Sequence, residues 1–400
     1  MTGVVNEQPD LLEGTFYTQD PYPTYAWLRE HDPVHWDATN RLWAISRYDD
    51  IVAIEKDKAT FSNAGQADNG YRPGISSDPS IIGLDDPEHQ VRRQLVARRF
   101  TPRAVGGLED HVRSVVTDLI DAALSAGEVD VVGQLAAPLP ATMIGELLGF
   151  PEDMVGKLQE WSERTIVLGG GPRYFDEDGT LAAMEFAGAC AELYADKVGC
   201  PADDVMSQWV EHERTGIKGG HAFGLDQMIS DCLLLLDGGA ETTRTVIARS
   251  ILNLMAHPEQ CDALRAGADL TVAVEEFIRY VTPIHNMCRA ATRDVELHGR
   301  QIRAGDQLLL MYSSANRDPA HFDRPEDFDV TRDPNLHLAF GFGTHFCIGS
   351  NLARMEIRVF FEEFLRRVGS WRSVPGVEPI EMPNAFVYGL REARLILEPA

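Results

Sequence analysis

A single cysteine, Cys347, lies in the segment Phe-Gly-Phe-Gly-Thr-His-Phe-Cys-Ile-Gly, residues 340–349, and a long helical pattern follows it directly. Glycine permits backbone dihedrals that other residues avoid, and it lets backbone N–H groups approach a ligand closely. Such donors and the positive end of a helix both stabilise a thiolate. The segment therefore predicts a loop that presents the sulfur at a helix N-terminus. The alternative interpretation is an inert buried cysteine in a turn.

The spacing of four residues in this segment resembles the haem-binding loop of the cytochrome P450 family, Phe-x-x-Gly-x-x-x-Cys-x-Gly. The matching residues are Phe340, Gly343, Cys347 and Gly349. The resemblance implies that Cys347 is the axial thiolate ligand of the iron of haem b, a ligand that favours O–O cleavage. It also implies the cytochrome P450 fold, which is mainly α with a minor β region.

Composition limits the classes of partner and site. The chain has 400 residues, 44% of them hydrophobic, and no linker divides it, so we expect a single domain over residues 1–400. The N-terminal residues are polar and no membrane-length apolar run is present, so we expect a soluble, cytoplasmic protein without a membrane anchor. A net charge of −26 disfavours nucleic acid as a partner. Six cysteines without CxxC pairs disfavour a zinc site.

One basic cluster interrupts this acidic background. Five arginines fall within twelve residues: Arg92, Arg93, Arg98, Arg99 and Arg103. One interpretation is a solvated helix face. The other is a docking surface for an acidic redox protein, since charged patches mainly raise association rates.

A second motif lies inside a helical pattern over residues 225–255. Gly238 and Gly239 are adjacent in mid-helix, where each glycine costs about 1 kcal/mol relative to alanine. Thr242 follows Gly238 by four residues, so its hydroxyl can bond that carbonyl and loosen the helix. The resemblance to the family's Gly-Gly-x-Glu-Thr-Thr motif implies that Glu241 and Thr242 deliver protons to dioxygen and that Gly238 lies against the haem. The structural alternative is close helix packing.

A third motif is Glu276 with Arg279, spaced i, i+3 on one helix face, which is a weak signal alone. The resemblance implies a structural brace on the proximal side of the haem. The family usually adds an arginine from a Phe-x-x-Pro-x-x-Phe region, but Asp327 stands at that position here. Arg332 is a candidate replacement.

A fourth motif begins at Asp86-Pro87, which reads as a capping acid followed by proline at the first helical position. His89 and Arg93 are then i, i+4 on one face. The resemblance implies that both contact the haem propionates, and that Arg289 and His345 are further propionate partners. Arginine suits a carboxylate because it binds it bidentately. Arg92 could exchange roles with Arg93.

The remaining elements are read from local patterns. We expect a helix over residues 22–31 and a hairpin-like pair at 34–36 and 42–45. Strands are expected at 295–297 and 307–312, joined through residues 304–306, with strand character over residues 386–397.

The family resemblance implies monooxygenation of a lipophilic small molecule, for example a steroid, terpenoid or fatty acid, by a monomeric enzyme. No GxGxxG follows a strand, so electrons are expected from another protein, and the resemblance implies a ferredoxin with its NAD(P)H-dependent reductase. The resemblance also implies a pocket lined by the segments 62–82, 166–175, 233–242, 284–287 and 386–387, whose mostly apolar residues suit a lipophilic substrate. Two alternatives stay open: a peroxide-driven peroxygenase and a non-enzymatic haem sensor.

Overall fold

The computed structural model describes residues 4–65, 70–74 and 78–400. Helices dominate this part of the chain, and several short 3₁₀ turns connect them. The α-helices are α1 (Gly14–Thr18), α2 (Tyr22–His31), α3 (Tyr48–Lys56), α4 (Glu88–Ala97), α5 (Pro102–Gly106), α6 (Glu109–Ala126), α7 (Pro138–Leu148), α8 (Val155–Thr165), α9 (Glu177–Gly199), α10 (Val205–Thr215), α11 (Leu225–Ala256), α12 (Pro258–Arg265), α13 (Leu270–Val281), α14 (Tyr312–Ala315) and α15 (Ser350–Arg367).

The strands are short and form four small sheets. They are β1 (Val34–Asp37), β2 (Leu42–Ile45), β3 (Phe61–Ser62), β4 (Glu128–Asp130), β5 (Met287–Ala291), β6 (Val295–Leu297), β7 (Arg300–Ile302), β8 (Gln307–Leu310), β9 (Val368–Ser373), β10 (Ile380–Glu381), β11 (Leu390–Glu392) and β12 (Arg394–Pro399). The largest sheet has the order β1-β2-β8-β5-β3. All its pairs are antiparallel except β2 with β8.

The sheet topology confirms some strand predictions and corrects one. The helix at 22–31 and the hairpin of β1 and β2 are as expected. The two later strands do not pair with each other. Instead β6 pairs with β7, and β8 lies between β2 and β5. The strand ends at Leu310 rather than at residue 312: Met311 N–H still donates to the Ile45 carbonyl at 3.0 Å, but α14 begins at Tyr312.

The helical core is built around α11, which packs against α7, α8, α9, α13 and α15. Its largest cluster of buried apolar side chains draws on residues from Ile81 to Leu397. The segment Val131–Leu148 is long and apolar enough to cross a membrane, but 67% of it is buried inside the structure. Its apolar character is thus used in the core, as part of the scaffold that holds α11.

The start of α4 corrects the expected cap. Asp86 accepts no hydrogen bond from the first helical N–H groups, and the helix begins at Glu88. The carboxylate of Asp86 is instead bound by Lys58 Nζ at 2.6 Å and lies 3.3 Å from His89 Nδ1. The Asp86-Pro87 peptide bond is cis. The acid therefore orients His89 rather than capping the helix.

Candidate active site

A cavity of about 550 Å³ lies between α11 and the cysteine segment. Most side chains that line it are apolar, so it suits a lipophilic ligand. The apolar lining includes Ile81, Ile82, Ile144, Ile166, Leu168, Phe175, Leu233, Leu234, Val246, Ile284, Met287 and Phe386. Each pocket segment expected from the sequence contributes residues. Residues 66–69 and 75–77 of the first segment lie outside the described residues. Ile144 from α7 was not anticipated.

Cys347 lies on one wall of this cavity, three residues before α15 begins. Its N–H donates to the Phe340 carbonyl at 2.9 Å, which closes the loop. Burial raises the pKa of the thiol, whereas N–H groups of Gly349 and Ser350 and the charges of Arg93 and Arg354 lower it. The structure thus gives the sulfur the helix N-terminal donors that the sequence predicted.

The glycines of this loop have different roles. Gly341 and Gly343 have φ of 68° and 70°, the left-handed region that glycine adopts without strain. A Cβ at Gly343 would lie 2.6 Å from the Glu55 carbonyl oxygen, so the loop contacts the end of α3 directly. Gly349 has φ of −81°, and a Cβ there would meet only the cysteine sulfur, at 3.9 Å. Gly341 and Gly343 therefore need the left-handed backbone that glycine allows, and Gly349 does not.

The opposite wall is the middle of α11. Thr242 Oγ1 donates to the Gly238 carbonyl at 2.7 Å, as the spacing predicted. The expected loosening is not seen, since α11 is helical from Leu225 to Ala256. A Cβ at Gly239 would lie 3.3 Å from Ile144, whereas one at Gly238 would meet nothing within 4 Å. Gly239 therefore allows close packing, and Gly238 leaves space beside Thr242.

Glu241 points away from this space. Its Oε2 lies 2.5 Å from Arg244 Nη2, and both side chains are buried. Burial raises the pKa of Glu241 to about 7; Arg244 lowers it, whereas the nearby Glu163 adds to the increase. Glu241 is thus a buried acid that can hold or release a proton near neutral pH, but it makes no direct hydrogen bond to Thr242 in the described structure.

The four expected propionate partners converge at one side of the cavity: His89, Arg93, Arg289 and His345. The rings of His89 and His345 have centroids 3.9 Å apart. Burial and the neighbouring charges of His89, Arg289 and Arg93 lower the pKa of His345 to about 2. An excess of cationic and donor groups at one place suits an anionic ligand.

Glu55 joins this cluster, and no motif in the sequence pointed to it. Its Oε1 accepts from Arg289 Nη2 at 2.7 Å and from the Tyr312 hydroxyl at 2.8 Å. Burial raises the pKa of Glu55, although Arg289 opposes this effect. The residue comes from α3, more than 200 positions before Arg289, so only the fold brings the two together.

The cluster fits the carboxylates of a haem. Within the described residues, His89 Nε2 is buried and has no hydrogen-bond partner. His89 lines the cavity that Cys347 also lines. An unpaired buried polar atom is costly, so it indicates a missing polar partner. A haem propionate would supply one.

The structure corrects the expected roles of the arginine cluster. Arg92 is buried and pairs with Asp231 at 2.5 Å, so it neither replaces Arg93 nor belongs to a surface. Arg93 lines the cavity. Only Arg98 and Arg103 are fully exposed, while Arg99 pairs with Asp203. The basic surface is therefore smaller than the sequence suggested.

The Glu276–Arg279 pair is present and fully buried. Two hydrogen bonds of 2.7 Å join the side chains. Arg332 Nε donates to Glu276 Oε2 at 3.1 Å, and Asn335 Nδ2 donates to the same oxygen at 3.0 Å. Arg332 is thus the third member of the brace, and Asp327 contributes its backbone carbonyl to Arg279.

Comparison with known proteins decides the family. The cytochrome P450 family description matches residues 269–397. A steroid C26-monooxygenase of Mycolicibacterium smegmatis is 36% identical over 397 residues, which cover 98% of this chain and 96% of that protein. The chain belongs to the cytochrome P450 family.

Other relatives of this cytochrome P450 agree. A linalool 8-monooxygenase of Pseudomonas putida is 32% identical, over 98% of this chain and all of that protein. The structure of CYP109E1 from Bacillus megaterium in complex with testosterone matches with a TM-score of 0.85 and 28% identity, over 94% and 97% of the two chains.

These matches confirm the fold class, mainly α with a minor β region in the cytochrome P450 arrangement. They also confirm the enzyme class and the cofactor. This cytochrome P450 is a monooxygenase, and it binds haem b.

Proposed function

We propose that this cytochrome P450 inserts one oxygen atom into a C–H bond of a lipophilic small molecule. Substrate, O2, two electrons and two protons give the hydroxylated product and one water. The observation that carries this proposal is the single cavity in which an apolar lining, Thr242 and Cys347 meet. The related steroid and linalool monooxygenases support a steroid or terpenoid substrate, with fatty acids a further lipid class to test.

The chain's own residues would hold the haem as follows. Cys347 supplies the iron ligand, within a loop whose shape depends on Phe340, Gly343 and Gly349. His89, Arg93, Arg289 and His345 bind the propionates, and Gly238 leaves room at the opposite wall. When bound, haem supplies the redox-active iron that activates dioxygen.

Glu241 and Thr242 are proposed to manage protons on the distal side. The Thr242 hydroxyl reaches the cavity beside Gly238, where it can position a proton donor. Glu241, with its pKa near neutral, is a suitable proton reservoir one residue earlier. Because the two side chains are not directly bonded, transfer between them requires a water or a side-chain rotation.

Electrons are proposed to come from a ferredoxin with its NAD(P)H-dependent reductase. The enzyme is proposed to act as a monomer in the cytoplasm. The exposed Arg98 and Arg103 lie in the segment between α4 and α6 and offer positive charge on an acidic protein. Opposite charges raise the association rate of such partners.

The test of the function is turnover of steroid, terpenoid and fatty-acid panels with a surrogate ferredoxin, reductase and NADH under labelled O2. We expect a product that carries one labelled oxygen atom. Product formation with peroxide but not with NADH would replace the proposal by a peroxygenase. Haem binding without turnover under either regime would favour a sensor.

Replacement of Cys347 by histidine tests the ligand. We expect Cys347→His to lose the thiolate Soret band of the ferrous–CO adduct, because imidazole does not donate charge to iron as a thiolate does. Cys288→Ala is the matched control, since that thiol is buried away from the loop and should leave the band unchanged. An unchanged band in Cys347→His would identify another ligand.

A further inference from the structure

One buried acid of the cavity has no role in the proposed chemistry. Asp237 directly precedes Gly238 on α11, and it lines the cavity. Its neighbour Leu236 is fully buried in the core, whereas Asp237 keeps part of its surface open towards the cavity. An acid therefore faces a space that is otherwise lined mostly by aliphatic and aromatic side chains.

The surroundings of Asp237 provide hydrogen bonds but no positive charge. Thr165 Oγ1, from the end of α8, lies 2.7 Å from Asp237 Oδ1 and 2.8 Å from the Trp161 carbonyl, so its one hydrogen is shared between these two acceptors. Within the described residues no lysine, arginine or histidine forms an ion pair with Asp237. The ionisable group one turn away is Glu241, whose own cation is Arg244. Asp237 is thus an acid that the protein itself does not neutralise with a cation.

The physical consequence is a carboxyl that holds its proton more tightly than an exposed aspartic acid does. Burial raises the pKa of Asp237 well above its ordinary value, and the nearby charge of Glu241 adds to the effect, whereas the Thr165 hydrogen bond opposes it. A protonated carboxyl can accept from Thr165 and still donate its own hydrogen. Its natural partner is a neutral oxygen atom rather than an ammonium group.

A second polar pair lines the same cavity. The Tyr71 hydroxyl donates to Asp78 Oδ2 at 2.5 Å, and both residues are part of the lining, as Asp237 and Thr165 are. The cavity therefore has polar groups from two separate parts of the chain.

We propose that Asp237 is a specificity-determining residue, whose carboxyl donates a hydrogen bond to a neutral oxygen function, a hydroxyl or a ketone, on an otherwise lipophilic substrate. This inference rests on the proposed oxidation of a lipophilic molecule and adds the chemistry by which that molecule is selected. A site built to hydrogen-bond an oxygen rejects the analogue that lacks it, because its own polar group is then left unpaired.

The experiment compares ligands that share a skeleton. The haem-loaded protein is titrated with 5α-androstane, its 17-ketone, its 17β-alcohol and its 17β-amine, and with dodecane, dodecanol, 2-dodecanone and dodecylamine. Binding is followed by the ferric Soret shift and by equilibrium dialysis, so that ligands without a spectral effect are also detected. The variants are Asp237→Asn and Asp237→Leu, with Asp237→Ala used where the leucine variant fails to bind haem.

We expect the wild type to bind the ketone or alcohol about 10-fold more tightly than the hydrocarbon of at least one skeleton. Asp237→Asn should keep this preference, because an amide also donates while accepting from Thr165. Asp237→Leu should lose it. The control, Leu233→Ala, removes apolar contact one turn earlier on α11 and should weaken all members of a series equally.

Three results would overturn the inference. One is a preference for oxygenated ligands that survives in Asp237→Leu. Another is a preference for the amine that disappears in Asp237→Asn, since this would show an ionised, cation-binding aspartate. The third is equal binding of every member by the wild type, which would refute the selection by Asp237 but not the lipophilic substrate class. Binding of no member of either series would refute the lipophilic substrate class as well.

Discussion

Thr242 and Glu241 are neighbours in the sequence, but their side chains have different surroundings. The Thr242 hydroxyl lies at the cavity and bonds the Gly238 carbonyl, whereas the Glu241 carboxyl is buried against Arg244. The sequence motif suggests that the two residues act together. In the structure the Thr242 hydroxyl is placed to position a proton donor and Glu241 to store a proton, so each role can be tested by its own variant.

Removal of the hydroxyl in Thr242→Ala should leave haem bound but direct electrons to peroxide. Product formation should fall by about 10²-fold, the lower range for loss of a positioned proton-transfer group. NADH oxidation, product and peroxide are measured together. Thr245→Ala is the control, since Thr245 is on the same helix with its hydroxyl buried and unpaired. Unchanged coupling in Thr242→Ala would remove this residue from proton delivery.

The acid should control the pH profile. A carboxyl with pKa raised to about 7 is largely protonated below that pH and ionised above it. If Glu241 donates the proton, kcat should fall as the pH rises through about 7, and Glu241→Gln should have a lower kcat without that descending limb. Glu163→Gln, which alters the other partner of Arg244, is the control: it should retain the limb but move it to lower pH, because the charge of Glu163 contributes to the raised pKa of Glu241. The same limb in Glu241→Gln would assign it to another group.

At the scale of elements, the buried brace joins α13 to the loop before the cysteine segment. Glu276 accepts from Arg279 on its own helix and from Arg332 and Asn335 in the loop, so two parts of the chain depend on one carboxylate. Removal of one member of a buried ionic cluster leaves an uncompensated charge. The brace should therefore contribute more to stability than the exposed ion pairs do.

Arg332→Ala should lower the free energy of unfolding by about 3 kcal/mol, because Arg332 also donates to the carbonyls of Asp323 and Arg324. Arg324→Ala should cost much less, since that side chain is 61% exposed and its pairs with Asp327 and Asp329 are screened by water. Urea unfolding of both variants measures the difference. Equal losses would show that the brace is not a specific support.

Elements with strong local patterns could be predicted from the sequence, and contacts between distant elements could not. The bounds of α2 and α11 agree with the patterns to within one residue, and α15 follows the cysteine segment as expected, because apolar periodicity and end signals are local. The place of β8 between β2 and β5 could not be read from local patterns, since strand pairing depends on the whole sheet. Glu55 meets Arg289, and Asp237 meets Thr165, through packing that no spacing rule encodes.

At the scale of the whole molecule, we propose that residues 1–400 unfold as one domain, since the main core unites residues from Ile81 to Leu397. Buried carboxyls should set the pH dependence of its stability. Glu356 on α15 is 2% exposed, and burial alone raises its pKa from 4.5 to about 8. Between these values the folded state binds the proton more tightly than the unfolded chain, so stability should decline as the pH rises.

Glu356→Gln should remove this decline. At about pH 4.5 and below, Glu356 is protonated in both states and the variant should resemble the wild type. Towards pH 8 the variant should become more stable by a few kcal/mol at most. Glu362→Gln, on the same helix but paired with Arg113 and Arg358, should show no such gain. Urea titrations across this pH range measure the effect, and a gain independent of pH would refute it.

The two walls of the cavity come from different stretches of chain. The cysteine side depends on residues 340–357, whereas much of the opposite side comes from short segments around residues 71–72, 78–82, 144 and 165–175 and from α11. Side chains of the opposite wall can therefore be exchanged, by evolution or by engineering, while the surroundings of Cys347 stay the same. Variants of this chain could acquire a new substrate selectivity and keep the same oxidation chemistry.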